Sequence, residues 1–483
     1  MTTARRDPAA AEASGGTRIL IVGGGYVGMY TALRLQARLR RGEASVTVVD
    51  PQPHMTYQPF LPEAAAGSIE PRHVVVPLRR VLRRCHVLTG RVTGIEHARR
   101  AATVELAAGR VEEIGYDVLV VAPGSVARTL PIPGLAECGI SFKTIGEAIF
   151  LRNHVLSRID AAASCLDPTL RRRLLTFLVI GGGYAGIEAL AELADMARYA
   201  TRYYENVEPS DLRWVLVEAA DRVMPEVSPP LGVYTVQRLL ERRIEVYLQT
   251  RVASLVGGHV VLDDGTEFEA DTVVWTAGVK ANPLLAATDL PLDERGRLRC
   301  TAELAVSGLP GVFSAGDCAA VPDLSRTDQD PNATCSPSAQ HAVRQAKVLA
   351  GNVLAYLRGR PMRSYRHRYA GSVASLGLYR GVAEIYGIKL KGPVAWFMHR
   401  TYHVSRMPTL NRKARVLADW TLALFFRREI VSLGQIHEPR AEFTRATAPT
   451  PVPPRAAAPP RPTPPRAVPP RAAPPRADGP SAQ

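Results

Sequence analysis

Gly23-Gly24-Gly25-Tyr26-Val27-Gly28 and Gly181-Gly182-Gly183-Tyr184-Ala185-Gly186 are two near-copies of one G-x-G-x-x-G pattern, 158 residues apart. The apolar run Arg18-Ile19-Leu20-Ile21-Val22 precedes the first, and Met29-Tyr30-Thr31-Ala32-Leu33-Arg34-Leu35 follows it. A buried parallel strand therefore turns into a helix at the glycines. The second copy has the same context, from residues 174–180 into residues 187–193. Glycine permits the tight turn and lets the backbone approach a pyrophosphate, whose charge then sits at a helix N-terminus. Two such loops imply two dinucleotides, and the economical use of both is to pass a hydride from one to the other. The fold expected is α/β, with two Rossmann-like dinucleotide-binding units.

An acidic residue ending the second strand of each unit is expected to hold an adenosine ribose. Asp50 closes Val46-Thr47-Val48-Val49-Asp50, 22 residues after Gly28, against a usual spacing of about 20. Glu218 closes Leu212-Arg213-Trp214-Val215-Leu216-Val217-Glu218 but stands 32 residues after Gly186. The excess falls in a longer helix and the insert at residues 197–209. A carboxylate here repels a 2′-phosphate, so NADH is favoured over NADPH, with Arg222 nearby. Each unit also closes alike. One strand ends in Ala122-Pro123-Gly124 and its counterpart in Thr276-Ala277-Gly278, where backbone can pass beside a cofactor. A further strand ends in Gly316-Asp317.

The segments divide as follows: residues 1–16 unstructured, 17–165 the first part of the first nucleotide domain, and 166–285 the second nucleotide domain. Residues 286–360 return to the first domain, 361–445 form a C-terminal region of β-like segments and amphipathic helices, and 446–483 a tail. The tail holds Pro-Pro-Arg five times and is almost all Pro, Ala and Arg. Such a composition buries too little apolar area to order itself and is read as extended and disordered.

An apolar content of 46% over 483 residues describes a globular chain, long enough for two to three domains of ~150 residues. Cys85, Cys138, Cys165, Cys300, Cys318 and Cys335 include no C-x-x-C pair, which argues against a disulfide framework and a zinc site. A reducing compartment fits, and no metal is expected. Neither a signal peptide nor an apolar run near ~18 residues is apparent. The formal charge of +15 looks like that of a nucleic-acid binder until it is located. Residues 361–440 carry 14 Lys and Arg against 4 Asp and Glu, and residues 446–483 carry five Arg against Asp478. The nucleotide-binding body is thus close to neutral, no nucleic-acid partner is expected, and the basicity needs a C-terminal explanation.

These residues resemble the two-dinucleotide flavoproteins that include glutathione reductase, ferredoxin reductases and type II NADH:quinone oxidoreductases. The match rests on Gly23, Gly25, Gly28, Asp50, Gly181, Gly183, Gly186, Glu218, Gly316 and Asp317. The resemblance implies a glutathione-reductase-like fold, with FAD on the first loop and NADH on the second, inserted unit. It also implies contact of Asp317 with the ribityl-phosphate region, and places Ala122, Gly124 and Gly278 beside the cofactors. Disulfide reductases of this group carry a C-x-x-x-x-C pair soon after the first acidic strand end, and no cysteine lies between Asp50 and Arg84. Residues 55–67 are instead similar to the apolar, proline-containing segment over the flavin in type II NADH dehydrogenases. Ala339-Gln340-His341-Ala342-Val343-Arg344-Gln345 resembles their A-Q-x-A-x-Q quinone signature. Arg344 stands in the place of the second glutamine, and Gln345 is turned roughly 100° round a helix. By this resemblance Gln340 and Gln345 contact quinone, Glu188 lies near the nicotinamide, and Lys389 borders the quinone tunnel. His341, His399 and His403 have no metal-ligand spacing.

Residues 394–402 and 415–428 combine aromatics, aliphatics and flanking arginines, the composition of helices lying on an anionic membrane surface. The activity implied is hydride transfer from NADH to FAD and two electrons onward to a membrane quinone, without ion pumping. The expected location is peripheral, on the cytoplasmic side of the membrane, with a homodimer compatible. Two rival readings are a sulfide:quinone oxidoreductase, with Cys165 and Cys335 as its thiols, and a non-catalytic membrane-associated NADH-binding regulator.

Overall fold

The computed structural model describes residues 16–326, 330, 332–367, 371–426 and 428–433. All belong to the unit Met1–Gly434. Residues 1–15 and the proline-rich tail, both expected to be unstructured, lie outside the described residues.

Two parallel sheets carry the two glycine loops. Thr17–Val22 is the middle strand of the parallel part of the first, flanked in parallel by Ala44–Asp50 and Val118–Val121. His86–Glu96 and Val312–Ser314 extend it on either side, also in parallel. The hairpin strands Ala101–Leu106 and Val111–Gly115 complete seven strands. In the second sheet Thr176–Ile180 lies between Arg213–Val217 and Thr272–Trp275, with Ile244–Tyr247 and Gly139–Ser141 at the edges, all parallel. Strands covered on both faces must be apolar throughout, which is why Ile19 to Val22 and Phe177 to Ile180 do not alternate. Each glycine loop leaves the carboxyl end of a central strand, where open α/β sheets bind ligands.

The second sheet is inserted in the first. The chain leaves after Val118–Val121 and returns at Val312–Ser314, and the outgoing Ser125–Ala127 pairs antiparallel with the incoming Val279–Ala281. The boundary expected at residue 166 is too late. Gly139–Ser141 already pairs with Thr272–Trp275, and helix Ile145–Ala163 buries Leu151, Val155 and Ile159 in one core with Phe177 and Ile187. A three-residue strand has no readable periodicity. The helix did announce itself, through a capping box between Thr144 and Glu147.

The C-terminal region clasps both units. Its antiparallel strands Ser372–Ser375, Gly381–Ile385 and Ile388–Lys391 lead to helices Gly392–Arg406 and Leu410–Phe425. Ala374, Leu376 and Val382 join the insert's core, while Val404, Met407 and Val416 join the first unit's. The last helix turns Leu410, Leu417 and Leu424 outward at seven-residue intervals, and Phe425 beside them is 78% exposed. No helix among the described residues is long and apolar enough to cross a membrane.

Candidate active site

Within each loop the three glycines do different work. Gly23 and Gly181 have φ of +103° and +109°, where a side chain would be strained. A Cβ on Gly28 would land on the Gly23 carbonyl, and one on Gly186 on that of Gly181, so both permit the helix to pack on the strand. Gly25 and Gly183 have φ of −71° and −72°, and nothing lies within 4 Å of where a Cβ would stand. They front open space at the N-termini of helices Tyr26–Arg38 and Tyr184–Ala200, whose caps are filled by no side chain. Uncapped N–H groups beside a Cβ-sized gap suit a pyrophosphate, so both loops fit a dinucleotide.

The acidic residues act alike despite their unequal spacing. Asp50 Oδ2 accepts from Gly24 N at 2.6 Å and its Oδ1 from Gln52 N at 2.7 Å. Glu218 Oε2 accepts from Gly182 N at 2.5 Å and its Oε1 from Ala220 N at 2.7 Å. Each carboxylate thus braces its own glycine loop from the next strand. Burial pushes the Asp50 carboxyl up, and its two backbone N–H partners oppose that. Ala122 presses its carbonyl against Gly23, whereas Gly124 and Gly278, with φ of +70° and +89°, face open space.

A cavity of about 1380 Å³ joins the units. Its lining includes Gly181, Gly183, Glu218 and Gly278 from the insert's loops, Lys143 and Asp317, and Gln340, His341, Tyr402 and His403, whereas the first glycine loop and Asp50 are not part of it. Glu188 also reaches its wall. Glu188 is buried, its Oε1 accepting from Ser375 N at 2.9 Å and lying 3.1 Å from His399 Nε2. Gln340 donates from Nε2 to Gly371 O at 3.1 Å. His341 stacks on His367 and is drawn down to about 4 by burial, with His367 adding to the effect. Burial also holds His403 well below its ordinary value.

Two expected quinone contacts are corrected. Gln345 is 1% exposed and accepts from Gly316 N at 2.7 Å, so it holds the Gly316-Asp317 turn and lines no part of the cavity. The one-place shift in the motif turned it into the core. Lys389 is exposed on the strand Ile388–Lys391 and is likewise absent from the lining. Nor do the cysteines make a redox pair there: Cys165 packs on the insert's core and Cys335 in the first unit's, and neither lines the cavity.

Sequence reasoning missed Ser125, Lys143, Ser375 and Glu192. Ser375 Oγ donates to Glu192 Oε1 at 3.3 Å, and the fully buried Glu192 also takes Arg428 Nη2 at 3.1 Å. Only Glu192 left a signal, four residues after Glu188 and thus on the same helix face.

Residues 17–346 match the family described as pyridine nucleotide-disulphide oxidoreductase. The chain is 30% identical over 426 residues to the type II NADH:quinone oxidoreductase Ndh of Mycobacterium tuberculosis, covering 85% of this chain and 89% of that protein. It is 31% identical over 388 residues to the type II NADH:quinone oxidoreductase of Staphylococcus saprophyticus, covering 79% and 93%. Its fold is similar to that of NDH2 from Plasmodium falciparum solved with NADH, with a TM-score of 0.78 at 17% identity, over 86% of this chain and 99% of the other. Two nucleotide-ready loops on two parallel sheets, the second of them lining the cavity, together with these likenesses along most of its length, mean that the chain belongs to the type II NADH:quinone oxidoreductases.

Proposed function

We propose that the cavity is where NADH, FAD and a quinone meet, with each candidate residue in a stated role. The protein passes a hydride from NADH to FAD and two electrons from FAD to a quinone, without pumping ions. The flavin supplies the redox chemistry, and the chain supplies positions and charge. Gly23, Gly25 and Gly28 receive the FAD pyrophosphate and Asp50 its ribose, with Gly124 and Asp317 further along. Gly181, Gly183 and Gly186 receive that of NADH, with Glu218 on the ribose and Gly278 beside it. Glu188, held at the cavity wall by the Ser375 N–H, lies near the nicotinamide. Gln340 borders the quinone. The observation that carries this reading is that Gly181, Gly183 and Glu218 share one cavity with Asp317 and Gln340.

Stopped-flow measurement of the two half-reactions tests it. Gln340→Ala should slow oxidation of the reduced flavin by quinone about tenfold or more, the loss of one hydrogen bond of about 1.4 kcal/mol, and leave reduction by NADH nearly unchanged. Equal slowing of both would make Gln340 a support of the flavin instead.

The outward row Leu410, Leu417 and Leu424, with Phe425 and Phe397, is proposed to rest on a membrane surface. Arg406, Arg412, Lys413 and Arg415 lie on the same two helices, and such residues contribute ~1 kcal/mol each near anionic lipid. A quinone confined to the bilayer requires such docking. A second copy of the chain is the competing occupant of this face, and vesicle binding separates the two.

A further inference from the structure

Lys143 reaches the cavity from the insert yet bonds the first unit. It follows the edge strand Gly139–Ser141, and its backbone N–H donates to Glu147 Oε2 at 2.7 Å inside the capping box that opens helix Ile145–Ala163. Gln58 Nε2 also donates to its carbonyl. The backbone is therefore held at this point. Its ammonium donates to Ser125 Oγ at 2.6 Å, and Ser125 Oγ donates to Asp317 Oδ2 at 2.6 Å. Ser125 and Asp317 follow the strands Val118–Val121 and Val312–Ser314, at the carboxyl end of the first sheet. Lys143 thus links the carboxyl ends of both sheets and lines the same cavity as the second glycine loop and Gln340.

Burial disfavours this cation, and Asp317 and Glu147 only partly offset that. Asp317 is one hydroxyl away from it and no carboxylate pairs with it directly among the described residues. A lysine kept in a ligand cavity at such a cost has its use when negative charge arrives. Resting on the reading of this cavity as the flavin site, we propose that Lys143 supplies the positive charge that stabilises the flavin ring after hydride transfer, and that Ser125 and Asp317 aim it. The balance is simple. NADH loses a hydride and becomes NAD⁺, the ring gains that hydride and one negative charge, and Lys143 keeps its proton throughout.

Sulfite tests the charge effect without NADH or quinone, because its addition to an oxidised flavin likewise places negative charge on the ring. The holoenzyme, Lys143→Met, Lys143→Arg and Ser125→Ala are compared for sulfite dissociation constant and flavin midpoint potential. Lys143→Met should weaken sulfite binding about tenfold or more and lower the potential by about 30 mV for each tenfold. Lys143→Arg should stay within a few-fold of wild type, and Ser125→Ala, which keeps the charge but frees the side chain, should fall between. Should Lys143→Met not fold or not keep FAD, the Arg and Ser125 variants still decide: an unchanged potential in Ser125→Ala with a lowered one in Lys143→Arg overturns the proposal. So do Lys143→Met values equal to wild type in both measurements, provided NADH reduces the flavin normally. Wild-type protein that binds no FAD, or whose FAD is not reduced by NADH, defeats the reading of the cavity itself.

Discussion

Gln345→Met distinguishes a support of the flavin turn from a quinone contact. Methionine nearly matches glutamine in length and volume, so packing in this 1% exposed position is kept while the acceptor for Gly316 N is lost. A buried N–H left unpaired costs about 1–3 kcal/mol. Gly316 has φ +79° and precedes Asp317, so the loss falls on the turn that aims that carboxylate. If all of it is felt in the FAD-bound state, the FAD dissociation constant rises about 5- to 150-fold, at 1.4 kcal/mol per tenfold. Titration of the FAD-free protein reads that constant, and stopped flow at saturating FAD reads the half-reactions, which should slow together or not at all. FAD affinity equal to wild type, with only the quinone step slowed tenfold, would put Gln345 at the quinone and refute the reasoning.

Gly183→Ala should leave folding and FAD content intact, since its conformation suits alanine and no protein atom is near the new methyl, yet weaken NADH binding at least tenfold; normal binding in a fluorescence titration would mean the pyrophosphate lies elsewhere. Glu218→Ala removes both the brace on Gly182 and the ribose acceptor, so the Michaelis constant for NADH should rise by 1.5–3 kcal/mol, roughly 10- to 150-fold, and the preference over NADPH should narrow. An unchanged ratio of kcat/KM for the two cofactors counts against it. Replacing Leu417, Leu424 and Phe425 together by serine should reduce co-sedimentation with anionic vesicles while sparing turnover of a short-chain quinone. Undiminished sedimentation would assign that face to another partner.

The two-sheet plan was legible because glycine loops, apolar central strands and acidic strand ends obey strict local chemistry. Glu218 was found by its strand despite an abnormal count, and the structure gives it the same brace that Asp50 makes. Gln345 was misjudged because a motif read by likeness carries no register: one residue along a helix is a different face. Lys389, exposed and outside the cavity lining, was misjudged because the place a hairpin takes is set by its tertiary contacts, which no local pattern encodes. Lys143 went unnoticed since its importance arises from Ser125 and Asp317, 18 residues before it and 174 after it in sequence.

Glu63 lies in the short helix Leu61–Ala65, whose Leu61 and Pro62 line the cavity, and is 1% exposed, yet both hydrogen bonds to its side chain come from the C-terminal helices. Arg400 Nη2 and Trp420 Nε1 each donate to its Oε2 at 2.8 Å. Breaking a buried charge pair by removing one partner costs about 3–5 kcal/mol. The helices proposed to lie against lipid are therefore not a detachable anchor. Deleting them to obtain a soluble enzyme would strand a carboxylate in the interior. The same two bonds tie the helix whose Leu61 and Pro62 line the cavity to both C-terminal helices, so the wall of the reaction chamber and the proposed docking face move as one body.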